Sequence, residues 1–266
     1  MNILKRELKS SVKSTLFWIA GIIALVAGGM SKYGSLAGSG QSMNDMMAAM
    51  PKSLQALFGV SSVDVSSAPG YYVVIFSYIL LIAAIHAGLL GAGIVAKEER
   101  DKTAEFLFSK PVSRTEVLLA KLAASLVLIV IINSVMLLVS DVSLSYYGSG
   151  EDAGNQIAFL YMLLYGFQLL FLSIGAMIAS VLKKPKQAVG ITASIILASY
   201  LLSIVIALNE NLAFLKFVTP FRYIDANEVL FGSGGTMLPF MALSIVLSFV
   251  LLCYAISSYR KRDLTV

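Results

Sequence analysis

Charge, cysteine, histidine and proline are all scarce in this chain. Of its 266 residues, 13% are Asp, Glu, Lys or Arg and 58% are hydrophobic, with six prolines, one cysteine and one histidine. A soluble domain of this size needs far more polar residues to cover its surface, so soluble-enzyme readings fall away at once. The lone Cys253 forms neither an intrachain disulfide nor a multi-cysteine metal site, and the lone His86 cannot supply both histidines of H-E-x-x-H. Glu98-Glu99 is followed by Thr103 where an E-E-x-x-x-R intramembrane protease motif needs arginine. The chain has no G-x-S-x-G and no G-x-x-x-x-G-K-[ST], so it lacks the nucleophile elbow and the phosphate loop through which it would bind nucleotide itself. No acidic or basic residue stands near the middle of any apolar run, which argues against the ion relay of a secondary carrier. The polar residues inside those runs are His86, Asn133, Gln168, Thr192 and several serines. They suit either interhelical hydrogen bonds or a substrate path.

What remains is hydrophobic sequence in long blocks, with a mean hydropathy of +0.84. Stretches near the 20 residues needed to cross a hydrocarbon core occur six times, at about 15–33, 71–96, 117–140, 157–182, 188–208 and 237–257. This predicts an all-α membrane protein with six transmembrane helices in a single transmembrane domain spanning residues 1–266. The first stretch admits a second reading as a secretory signal with Ser35-Leu36-Ala37 at its cleavage site. A retained span is preferred, because Trp18 near its start suits an interfacial anchor.

The net charge of +5 would suggest nucleic acid in a soluble protein, but here the placement of the cations carries the information. Sixteen lie in the amino end, the second and fourth connections and the tail, and four (Lys32, Lys52, Lys216, Arg222) lie in the odd connections. Both termini are therefore expected in the cytoplasm of a multi-pass protein of the cytoplasmic membrane, with lipids and no nucleic acid as partners. Before the first span, Leu4, Leu8 and Val12 repeat every four residues beside Lys5, Lys9 and Lys13. This spacing fits an amphipathic interfacial helix or a solvated basic tail, and the former is expected.

Small residues at Ala84, Gly88, Ala92 and Ala96 make a groove along the second span for close helix packing, and Gly166, Gly175, Ala176, Ala179, Gly190, Ala193 and Ala198 offer similar contacts. The connection after that span mixes both charge signs with the apolar residues Ala104, Phe106, Leu107 and Phe108, and Pro111 follows. A short docking helix accounts for this better than a free loop, with one face against a partner and the other beneath the bundle.

At this segment the sequence resembles the membrane subunits of ATP-binding-cassette transporters of the type-2, exporter-like class. Those permeases carry a pattern close to E-E-x-x-x-G-T-x-x-x-L-L-x-x-P-V-S-R, with a lysine early in the third span. Thr103, Leu107, Pro111, Val112, Ser113, Arg114 and Lys121 match it, Lys102 stands where the family has glycine, and Glu98 and Glu99 match its E-E with a spacer one residue shorter. The stretch from Met50-Pro51 to Gly59 is similar to the family's P-x-x-L-x-x-L-x-G, Pro220-Phe221-Arg222-Tyr223 to its P-F-x-Y, and Arg262-Asp263-Leu264 to its terminal R-D-L.

The resemblance implies a six-helix permease half that works with a separate ATPase subunit and a second permease chain. ATP and magnesium would bind that ATPase, leaving no cofactor, metal or catalytic residue in this chain. Coupling to the ATPase would fall to Glu98, Glu99, Thr103, Phe106, Leu107, Pro111, Ser113 and Arg114; the competing role for each is to cap or anchor a helix end. An amphipathic peptide, antibiotic or lipid-like compound is the expected cargo. A membrane anchor or sensor that docks a cytoplasmic protein without transport is the alternative function. In the outer loops, Met43, Met46, Met47 and Met50 suit packing better than soft-metal binding, and the aromatics of 209–236 suit an outer helical cap before the last span.

Overall fold

The computed structural model of the chain describes residues 3–37, 43–58, 63–109, 112–148, 154–182, 184–232 and 234–261. Its helices are α1 (Ile3–Ala37), α2 (Met43–Ala48), α3 (Lys52–Phe58), α4 (Ala68–Arg100), α5 (Ala104–Phe108), α6 (Arg114–Tyr147), α7 (Gly154–Val181), α8 (Pro185–Leu208), α9 (Ala226–Phe231) and α10 (Leu238–Lys261). Among the described residues there are no strands, and α1, α4, α6, α7, α8 and α10 are each long and apolar enough to cross a membrane. The protein is an all-α membrane protein with six such helices.

The helix starts follow from local chemistry. Ser67 caps α4 by accepting from the Gly70 N–H, with Pro69 in the first turn, where its missing donor costs nothing. Pro185 opens α8 in the same way. At α6, Ser113 and Glu116 form a reciprocal capping box: Ser113 Oγ accepts from the Glu116 N–H at 3.2 Å, and Glu116 Oε2 accepts from the Ser113 N–H at 2.9 Å.

Packing sorts the six helices into a centre and a rim. α4 and α7 form the buried axis, with α6 beside them; α1 lies along α6, α8 along α4 and α10 along α7. The rim helices keep broad apolar faces outward, including Leu16 and Phe17 on α1, Leu197 and Leu201 on α8, and Phe249 and Val250 on α10. In water such faces would be unstable, whereas lipid or another membrane chain covers them without cost.

The α4/α7 crossing is so close that backbones touch. A Cβ built on Gly91 would lie 2.2 Å from the Leu172 carbonyl oxygen, and one on Gly175 would lie 2.2 Å from the Gly88 carbonyl oxygen and 2.8 Å from the Ala92 nitrogen. The expected groove of Ala84, Gly88, Ala92 and Ala96 is buried, and Gly91 adds its tightest point. Gly190 sits in open space, with nothing within 4 Å of such a Cβ, so it contributes no close packing. Above this crossing the Tyr161 hydroxyl meets the Tyr72 hydroxyl at 3.0 Å and Ser140 Oγ at 2.8 Å, while Asn133 Nδ2 donates to the Tyr161 carbonyl at 3.2 Å. These bonds tie α4, α6 and α7 together at buried polar groups that hydrocarbon could not satisfy.

The amino-terminal amphipathic segment is not a separate interfacial helix. α1 runs unbroken from Ile3 to Ala37, because the segment holds no proline or glycine before Gly21 and its Ser10 and Thr15 hydroxyls bond back onto the helix. Leu4 and Leu8 pack on the ends of the other helices near Val95 and Tyr259, so protein takes the place expected for the acyl boundary; Val12 alone of the three is exposed. Trp18 also differs from its expected anchoring role. It lies edge-on to His86, halfway along α4, with ring centroids 5.2 Å apart, and so packs at mid-depth.

At the far end from the termini, the segment between α8 and α10 folds into short 3₁₀ turns and α9. Phe221 inserts among Phe167, Phe171 and Tyr200 with centroids 5.3–5.4 Å apart, and Tyr223 stacks on Phe240 at 5.2 Å. The aromatic pair of Pro220-Phe221-Arg222-Tyr223 thus pins this cap to the bundle. Met47 packs against the core, and Gln55 Nε2 donates to the Met47 and Met50 carbonyls, which ties α2 to α3. Gly59 and residues 262–264 lie outside the described residues.

Candidate functional site: the connection between α4 and α6

α4 is 33 residues long, about 50 Å at 1.5 Å per residue, so its ends reach past a hydrocarbon core of about 30 Å. Its last turn carries Lys97, Glu98, Glu99 and Arg100. Two of the four build a network that is the chain's own. Arg6 Nη2 donates to Glu7 Oε1 at 3.1 Å and to Glu98 Oε1 at 3.0 Å; Lys97 Nζ donates to Glu7 Oε2 and to Ser10 Oγ, both at 2.8 Å. Lys121 Nζ, on the first turns of α6, donates to Glu98 Oε2 and to the Ile94 carbonyl.

Glu7 and Lys121 are 0% exposed and Glu98 4%. Ions taken out of water at several kcal/mol each persist only when every charge meets a partner, and here three cations alternate with two carboxylates. The network joins α1, α4 and α6 at one point. Glu98 therefore faces inward, and Glu99 is buried beside it.

The chain then turns sharply. The Thr103 N–H donates to the Glu98 carbonyl at 2.8 Å and the Lys102 N–H to the Glu99 carbonyl at 3.4 Å, with Lys102 at φ +56°. This is the pairing of a Schellman motif, whose left-handed residue is usually glycine. A glycine would take this geometry freely, and Lys102 adopts it at a steric cost of about 1–2 kcal/mol. Lys102→Gly should raise the melting temperature and Lys102→Ile should lower it, as read by thermal unfolding in detergent.

α5 follows as one short turn. Leu107 is buried on Ile3 and Val117, flanked by Val112 and Ala120. Its neighbour Phe106 points the other way and is 67% exposed, with Lys102, Thr103 and Glu105 exposed around it. The eight residues expected to couple to a partner thus divide. Glu98, Glu99 and Leu107 are inside; Thr103 and Phe106 are outside; Ser113 is exposed but occupied as the α6 N-cap; Arg114, half-buried, opens α6; Pro111 lies outside the described residues.

A family model described as "ABC-2 family transporter protein" matches residues 1–264. The chain belongs to this family. No curated protein matches it. As an ABC-2 protein it is a membrane component of a transporter, and its six apolar helices make it multi-pass.

Within this ABC-2 chain, no local sequence pattern points to the partners of the buried network. Lys121 was legible as a motif position, but Arg6 and Glu7 lie about 90 residues from Lys97 and Glu98, and no local period points from one pair to the other. The lone acidic residue of the basic amino end, Glu7, was the available signal. Among the residues of the spans singled out earlier, Asn133 bonds to Tyr161, and Gln168 and His86 are buried.

Proposed function

We propose that this chain is the permease half of an ATP-driven transporter, with α5 as the element that receives the motion of a separate ATPase subunit. The observation that carries this reading is the division of α5. Leu107 is sunk into a socket made by α1 and α6, while Phe106 leaves a large apolar side chain in a charged, exposed setting beyond the membrane-spanning part of α4. An exposed aromatic rimmed by polar groups suits a hydrophobic groove on a partner.

The mechanism follows from rigidity. A load applied at Phe106 passes through Leu107 to Ile3 and Val117, and from the turn at Lys102 to the Arg6–Glu7–Lys97–Glu98–Lys121 network, so α1, α4 and α6 move together. Closure of an ATPase pair on nucleotide biases one of two bundle arrangements, which is how a ligand held on one side switches access for a cargo. The lopsided cation count supports placing both termini and α5 in the cytoplasm, with a second permease chain completing the path. The cargo under this reading is amphipathic: a peptide, an antibiotic or a lipid-like compound.

The test is Phe106→Asp in the tagged chain, purified from its native membrane in mild detergent. The variant should insert and melt as the parent does, because position 106 is exposed, but its yield of co-purifying ATPase should fall at least about tenfold, equivalent to 1.4 kcal/mol. An unchanged yield overturns the role of α5.

A further inference from the structure

At the end of the bundle opposite the termini, α4, α8 and the cap between α8 and α10 surround a cavity of about 500 Å³. This lies in the range of sites for drug-sized ligands. Part of its wall is apolar and aromatic, with Phe76 and Leu80 from α4, Tyr200 and Ile204 from α8, and Phe221 from the cap, and Ser77, Ser203, Asn227 and Thr236 add neutral polar groups. Four charged residues also line it: Lys216, Arg222, Asp225 and Glu228.

Two are cations and two are carboxylates, yet among the described residues none of the four forms an ion pair with another. Neutral partners hold three of them instead. Asp225 Oδ1 accepts from the Asn227 and Glu228 N–H groups at 3.0 and 3.2 Å, Glu228 accepts from the Thr236 hydroxyl, and Lys216 Nζ lies 5.6 Å from the ring centres of Phe217 and Phe240. The opposite end of the same molecule pairs its charges closely, so the separation here is a local property of the cavity.

We infer that this cavity binds a zwitterionic amphiphile, its apolar body against the aromatic wall, its anionic group facing Lys216 and Arg222, and its cationic group facing Asp225 and Glu228. The four charges sum to zero, so a singly charged amphiphile gains one attraction and meets one repulsion, whereas a zwitterion satisfies both. That such a ligand is the cargo rests on the permease reading. That it binds does not.

The experiment uses the full chain in dodecyl maltoside, whose head is uncharged, with Cys253→Ala and a reporter at Ala207→Cys, an exposed position on the cavity wall. The rate of maleimide labelling is read against lysophosphatidylcholine, lysophosphatidylglycerol and a monoacylglycerol of the same acyl chain. The zwitterionic lipid should slow labelling about fivefold more than either of the others, and this difference should vanish in Arg222→Gln combined with Glu228→Gln. Any other order of the three lipids overturns the proposal, whether equal slowing, no slowing or a charged or neutral lipid leading. So does a preference undiminished in the double variant. Because no ATPase is present, failure here leaves partner co-purification standing, and failure of co-purification leaves a positive result here intact.

Discussion

Gly175→Ala should abolish the native bundle or lower its stability by at least about 3 kcal/mol, the upper end of ordinary overpacking. The added methyl would overlap the Gly88 carbonyl oxygen and the Ala92 nitrogen, and these are backbone atoms that no rotamer change can move aside. α4 and α7 would have to separate along the central crossing of the fold, loosening the contacts on either side of it. Gly91→Ala meets the Leu172 carbonyl in the same way. Gly93→Ala, two residues along the same helix, meets nothing within 4 Å and should stabilise by up to about 1 kcal/mol through helix propensity. Thermal unfolding in one detergent across the three variants checks the pattern. Equal melting temperatures for Gly175→Ala and Gly93→Ala would refute a crossing set by backbone contact.

Lys121→Met carries the second large effect. Removing this fully buried cation leaves Glu98 with Arg6 alone and takes the side-chain donor from the Ile94 carbonyl. Breaking one side of a buried ion pair costs about 3–5 kcal/mol, which corresponds to a fall in melting temperature of roughly 10 °C. The double variant Lys121→Met with Glu98→Gln removes the unpaired charge as well and should recover much of the loss. In a double-mutant cycle this appears as strong coupling between the two positions. Independent, additive losses would show that the two side chains do not share a network.

The parts of this protein that could be read from its sequence are those written in local periods. Six apolar runs predict six helices, and the helices extend beyond the runs because Ser67 and Ser113 cap α4 and α6, and Pro185 opens α8, in polar sequence where hydropathy no longer discriminates. The small-residue groove was legible on α4 because its members recur every four residues; Gly91, its tightest point, falls outside that period. The connection after α4 was legible as a docking segment from its exposed-looking apolar residues. Which of those residues faced in was not, since the direction of Leu107 depends on Ile3 and Val117, brought there by the packing of α1 against α6. Glu98 illustrates the same gap. Its motif position suggested a partner contact, and only the approach of Arg6, 92 residues away in the chain, shows that its charge is used internally. The amino-terminal stripe was legible as amphipathic, but amphipathicity does not say whether lipid or protein covers the apolar side, and Leu4 and Leu8 meet protein.

The central claim is that this chain is one half of a machine whose energy source is another protein. It is tested most directly by purifying the tagged chain from its native membrane in mild detergent and identifying what accompanies it by mass spectrometry. The account predicts a stoichiometric partner containing G-x-x-x-x-G-K-[ST], retained by the parent chain and lost from Phe106→Asp. A bundle that melts normally and repeatedly emerges without such a partner, while known permease complexes survive the same detergent, would contradict it.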